Sequence, residues 1–138
     1  MTVPPDRPDR LRRYVIEAIA LPGVESAAIF VAGASGALEL GASIGVVGPA
    51  LERLTEAVQN SDHPIARTMV DGVASFDVAP VAPGGPALRS HLPLPIGAAD
   101  PERRRVIGVL AVAHDRPLDA EARASLQDLA LAAAGAAS

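Results

Sequence analysis

Three histidines, one serine and a scatter of arginines carry whatever chemistry this chain can perform. His63, His91 and His114 are its only imidazoles, and it has no cysteine. An imidazole titrates near neutral pH and can bind a metal or a ligand through either nitrogen. The spacing of the three matches no metal-ligand motif, and Asp62 and Asp115 beside two of them do not make one. His63 precedes Pro64 and suits a helix cap; His114 falls where a strand becomes a turn, which predicts exposure. His91 stands in a stretch predicted to be buried on both faces, and is the histidine that could meet a ligand or a haem iron. Ser90, His91 and Asp115 suggest a hydrolytic triad. Neighbours on a strand point to opposite faces, however, so Ser90 and His91 cannot pair as nucleophile and base. No G-x-S-x-G elbow is present either.

The charged candidates divide in the same way. Arg89 enters a strand predicted to be buried, so it needs either a carboxylate such as Asp77 on the adjoining strand or an acidic ligand. The first is the simpler solution, since buried arginine–carboxylate pairs fix strand register. Arg103, Arg104 and Arg105, balanced by Asp100 and Glu102, read as a solvated loop rather than an anion site. Gly33-x-x-Gly36 leads into a strand and not a helix, so it is turn chemistry and cannot cradle a phosphate.

Composition narrows the classes further. A chain of 138 residues supports one domain and one core, burying about 68% of the unfolded surface. The formal charge of -4, together with Tyr14, Phe30 and Phe76 as the only aromatics, argues against nucleic acid. All twelve basic residues are arginine, a bias we assign to coding rather than function. Without cysteine there are no disulfides, thiolate nucleophiles or thioether attachments. No signal peptide and no run approaching ~18 apolar residues is apparent, so a cytoplasmic protein with no membrane association is expected.

The elements that must position these residues follow from periodicity and punctuation. Residues 1–8, with Pro4, Pro5 and Pro8, are expected to form a disordered arm before a single domain over 9–138. A helix from Asp9, its predicted cap, carries two apolar stripes to Pro22-Gly23; one stripe faces its own sheet and the other could face another chain. Val24 to Ala32 and Ala37 to Ile44 read as a hairpin. Helices follow from Gly48-Pro49 and from Pro64, the second ending at Gly72 with Ile65, Thr68 and Met69 on one face. Ser75 to Val81 is predicted as an edge strand because of Pro80 and Pro83, with Pro83-Gly84-Gly85-Pro86 as a loop. Leu88 onward and Val106 to His114 supply two more strands, and Asp119 caps a helix from Ala120 to about Ala134. Two β blocks flanked by helices, without βαβ alternation, predict an α+β fold with an antiparallel sheet covered on both sides.

At this point the segments LRSHLPLPI, VIGVLAVAHD, the Pro117-Leu118-Asp119 helix start and SLQDLALAAA resemble the second half of a GAF domain, and VESAAIFV with its hairpin resembles the first. The resemblance spans about residues 9 to 136. It implies a GAF-like, profilin-like and PAS-related sheet of five to six antiparallel strands, with helices on both faces. It further implies a homodimer bundle made by the N- and C-terminal helices. Under the same resemblance, residues 51–69 lie over a small-molecule pocket whose floor is Phe30, Ile44, Phe76 and the strand bearing His91. The candidate ligand residues are therefore Phe30, Ile44, Ile65, Thr68, Met69, Phe76 and His91. Phe30, Met69 and Phe76 could equally fill the core.

The chemistries of that family can be checked against the residues. Bilin attachment and methionine sulfoxide reduction use cysteines, and the NKxxF-type motif of cyclic-nucleotide binders needs a lysine; neither residue type occurs here. What remains is a stand-alone, non-catalytic sensory or regulatory module with an unidentified small-molecule ligand and a signalling partner. Two alternatives stay open: a ligand-free interaction or dimerisation module of profilin-like or roadblock-like type, and a non-covalent haem or tetrapyrrole carrier using His91. No metal site and no certain cofactor is expected.

Overall fold

The computed structural model describes residues 7–33, 35, 37–46, 48–78, 88–96 and 105–137. The elements run α1 (Arg7–Ile19), β1 (Val24–Ala32), β2 (Leu38–Ile44), α2 (Gly48–Ala57), α3 (Pro64–Asp71), β3 (Ser75–Val78), β4 (Leu88–Ile96), β5 (Arg105–His114) and α4 (Ala120–Ala137). The five strands form one sheet in the order β2-β1-β5-β4-β3. Every neighbouring pair is antiparallel. β5 lies at the centre, as its unbroken apolar run requires, and pairs with β1 on one side and β4 on the other.

The alternation of side chains across the strands divides the interior into two layers. Ala27, Ile29 and Val31 of β1 face α1 and α4 together with Leu110 and Val112 of β5 and Leu92 and Leu94 of β4. The intervening residues Ala28, Phe30, Val109 and Ala111 face α2 and α3, where Leu38, Val58 and Ile65 complete a smaller core. The first layer is dense because α1 delivers Leu11, Val15 and Ala18 at helical spacing, while α4 presents Leu126, Ala130, Ala133, Ala134 and Ala137. Alanines let α4 approach both α1 and the sheet closely. The second layer is thinner, and no residue of α2 is buried.

The first boundary differs from the sequence expectation. The first helix begins at Arg7, so Asp9 lies inside it and is not its cap; Pro8 sits in the first turn, where its missing N–H costs nothing. The third strand is described over Ser75–Val78; the rest of its predicted range, 79–81, the predicted loop at Pro83–Pro86 and residues 1–6 of the predicted arm lie outside the described residues, as do Arg103 and Arg104. The cap of α3 is as expected: His63 Nδ1 accepts a hydrogen bond from the Ile65 amide at 3.1 Å. Its other end closes on Gly72, left-handed at φ 68, whose N–H donates to the Thr68 carbonyl at 2.9 Å. A Cβ there would adopt that strained φ and press Val106 Cγ2 at 3.3 Å. Gly72→Ala is therefore expected to cost about 1–2 kcal/mol in urea denaturation, with an unchanged m-value.

Candidate functional site

Between the sheet and the α2–α3 layer lies a cavity of about 390 Å³. Its floor is made of small side chains, Ser26 and Ala28 of β1 and Ala111 and Ala113 of β5. Larger side chains at those positions would fill it. Ala50 and Leu54 of α2 and Ile65 of α3 form the roof, and the exposed Glu25 stands at the rim. Gly45 and Val46, after β2, form one wall and β4 another. Arg89 and His91 lie two residues apart on that strand and therefore on the same face, opposite Ala113 and Ala111 of β5 respectively.

His91 is 1% exposed, and neither of its ring nitrogens has a hydrogen-bond partner. Buried polar groups are nearly always paired, and these two nitrogens are exceptions. Burial, and then the neighbouring His63, Arg89 and His114, push its pKa from 6.5 down to about 4. The imidazole is thus neutral at physiological pH, offering one donor and one acceptor and no charge. His63 is also shifted downward, by burial first and then by the Arg89 guanidinium.

Arg89 does not meet Asp77, contrary to the simpler expectation from sequence. Asp77 has a left-handed backbone, φ 57, at the irregularity between Ser75 and Val78, which carries its carboxylate to the opposite side of the sheet. There Asp77 accepts from Arg123 Nη2 at 2.6 Å and from the Leu118 amide at 2.9 Å, anchoring the start of α4. Its pKa is lowered, chiefly by the Leu118 bond. Among the described residues no carboxylate comes within ion-pair distance of Arg89.

No family model and no curated protein sequence matches the chain. Solved structures do. The GAF domain of an Acinetobacter phosphoenolpyruvate-protein phosphotransferase superposes with a TM-score of 0.70 at 18% identity, covering 97% of this chain and 83% of that one. The second GAF domain of DevS from Mycobacterium smegmatis gives 0.66 at 24% identity, covering 95% and 92%. The fold is that of a GAF domain. A type II free methionine-R-sulfoxide reductase from Thermoplasma acidophilum shares it as well, with a TM-score of 0.70 at 16% identity over 96% of this chain and 95% of that one.

Within this GAF fold the seven candidate ligand residues separate. Ile65 and His91 line the cavity. Phe30 is fully buried in the smaller core beneath α3, and Met69 packs against that core. Thr68 is buried there too, its hydroxyl donating to the Pro64 carbonyl at 2.9 Å. Phe30 and Met69 therefore fill space rather than surround it. Ile44 and Phe76 require correction, because both lie on the α1–α4 side of the sheet. Ile44 pairs with Ala27, whose face it shares, and Phe76 stacks under the Arg123 guanidinium at 4.8 Å. Arg89 and the alanine floor complete the set. Their signal was present in the alternation along β1 and β5, where small residues recur on one face.

Ser90, on the far side of β4 from His91, bonds His114 Nε2 at 2.8 Å. Its oxygen also accepts the Asp77 amide at 3.1 Å. His114 Nδ1 lies 2.7 Å from the Arg116 carbonyl, which can only accept, so Nδ1 carries the proton and Ser90 donates to Nε2. His114 is fully buried and not exposed as its place in the sequence predicted, because the turn 115–118 folds over it. A serine–histidine pair at this distance has the reach of a nucleophile and base. Here both residues are sealed from water, and the imidazole is oriented by a carbonyl, so the pair holds strands to a turn.

Proposed function

We propose that this domain is a non-catalytic sensor: it binds a small molecule between its sheet and the α2–α3 layer, and passes the event to a homodimer built on α1 and α4. A sensory or regulatory role in general is what the GAF fold supports. The observation that carries the ligand is His91, a buried imidazole with two unpaired nitrogens in the wall of a 390 Å³ cavity. That volume lies within the ~300–1,000 Å³ typical of small-molecule sites. A ligand-free interaction module would have no reason to retain an unsatisfied histidine beside a space lined by alanines. Leaving such nitrogens bare costs about 1–3 kcal/mol each.

The non-catalytic reading draws on the same inventory. There is no thiol, Ser90 is sealed, and no described side chain hydrogen-bonds His91 to make it a base. The transmitting element is the contrast between the layers. The lid helix α2 is held without a single buried residue, while α4 is anchored through Asp77, Leu118 and Arg123. A ligand that prefers one placement of α2–α3 shifts the population of the whole domain by its differential affinity. The homodimer would draw on Ile16 of α1, 45% exposed, and Leu131 of α4, 54% exposed, apolar side chains on the two helices assigned to the bundle.

A native mass spectrum tests both parts at once. Two subunits and a retained small mass that disappears on unfolding are expected. A monomer removes the dimer, and an empty protein with no ligand in a metabolite thermal-shift screen leaves only a scaffold. A coloured tetrapyrrole adduct would replace this proposal with one in which His91 is an axial ligand.

A further inference from the structure

We infer that the cavity is built for a small organic monoanion, a monocarboxylate with an apolar body, whose carboxylate meets Arg89 and whose body lies on the alanine floor toward His91. This rests on the sensor reading above and specifies its ligand. Arg89 lies in the wall of the cavity, and its guanidinium has no carboxylate partner among the described residues. The one acidic side chain the register offered to it, Asp77, is committed to Arg123 on the opposite face. A planar guanidinium accepts a carboxylate through two parallel N–H···O bonds, and the match is strongest where water is excluded.

The charge count then selects among anions. Arg89 is the only cation among the described residues lining the cavity, where His91 is neutral. Glu25 at the rim adds a negative charge. A phosphate ester or a dicarboxylate would bring about two negative charges to one positive group and pass a carboxylate on entry. A single carboxylate matches Arg89 one to one, with Glu25 exposed at the rim and screened by solvent. An amine or a zwitterion would have to pair its ammonium with Glu25, which is exposed and solvated, so that contact adds little. The floor of Ala28, Ala111 and Ala113 and the roof of Leu54 and Ile65 take an apolar body. The neutral His91 ring adds one donor and one acceptor, so a hydroxyl on that body gains affinity where a second charge does not.

Matched probes test this. Three apolar bodies, 3-methylbutyl, 3-phenylpropyl and 2-naphthylmethyl, are each presented as carboxylate, primary amide and amine, with inorganic phosphate alongside, to the unaltered protein and to Arg89→Met. Thermal shift and calorimetry are the readouts. The expected result is binding by carboxylates alone, at least tenfold tighter than the matching amide, with that advantage abolished in R89M. The head-group comparison on the unaltered protein stands by itself if R89M does not fold. Amides, amines or phosphate binding as tightly as the carboxylates, or carboxylates binding R89M unchanged, overturns the monoanion and leaves the pocket in place. No binding by any probe, with the His91 ring ¹⁵N signals unmoved, overturns both.

Discussion

Replacing His91 with leucine is expected to stabilise the protein by about 2 kcal/mol at pH 7.5 and to weaken ligand binding at least tenfold. The usual expectation for a fully buried side chain is the reverse. Leucine is close in volume, its neighbours Ala111 and Ile65 are apolar, and it removes two ring nitrogens that no protein group satisfies. The pH dependence sharpens the test. Above pH 6.5 the ring is neutral in both folded and unfolded chains and contributes no slope. As the pH falls below 6.5 the unfolded chain takes up a proton, while the folded chain, with its pKa pushed down to about 4, does not. Stability therefore declines between pH 6.5 and 4, and a shift of that size corresponds to about 3 kcal/mol. In His91→Leu most of that decline disappears, leaving the smaller contribution of His63, whose pKa is lowered in the same direction. Urea titrations at pH 7.5 and 4.5 measure both effects. A His91→Leu protein that is less stable at pH 7.5 and keeps its acid sensitivity would mean that the histidine is structural.

Much of this was legible in the residues, and what was not has a local cause. The order of elements followed from periodicity and from Pro and Gly at their ends, because apolar stripes at 3.6 and 2.0 residues admit few alternatives. Alternation along β4 correctly separated Ser90 from His91. The family resemblance, not alternation, misplaced Ile44 and Phe76, since no sequence states which face of a hairpin meets which helices until a partner is fixed. Register supplied that: Ile44 opposite Ala27 goes to the α1–α4 side. Arg89 and Asp77 were correctly placed on adjoining strands and wrongly paired. A single left-handed residue inside a four-residue strand sends Asp77 to the other face, and an aspartate within a strand pattern is only a faint signal of that backbone. His114 was misjudged because its burial depends on a turn from the following segment, Asp115 to Leu118, folding back over it.

Asp77→Ala is expected to cost about 3 kcal/mol and to loosen the junction between the sheet and α4. The carboxylate accepts the Leu118 amide at the entrance to α4, and removing a charged acceptor from a part-buried N–H costs about 1.5–3 kcal/mol. Alanine must also hold φ 57, which aspartate and asparagine tolerate and alanine resists by about 1 kcal/mol. The ion pair with Arg123 adds less, because that arginine is 43% exposed. Asp77→Asn separates these contributions. It retains the backbone preference and an acceptor for Leu118 but loses the charge, so a cost near 1 kcal/mol is expected. Because the folded pKa of Asp77 lies below its ordinary value, its contribution is present above the ordinary carboxylate range and lost as the pH falls through the folded value; Asp77→Asn flattens that part of the acid limb. Hydrogen exchange locates the damage. Amides at the start of α4 and in the 115–118 turn should lose protection in Asp77→Ala, while the centre of β5 changes only with global stability. If α4 is the output of the sensor, Asp77→Ala should bind ligand with little change in affinity yet no longer alter the dimer on binding, since Asp77 lies across the sheet from Arg89 and His91. An Asp77→Ala protein with wild-type stability would show that α4 is held by its alanine packing alone.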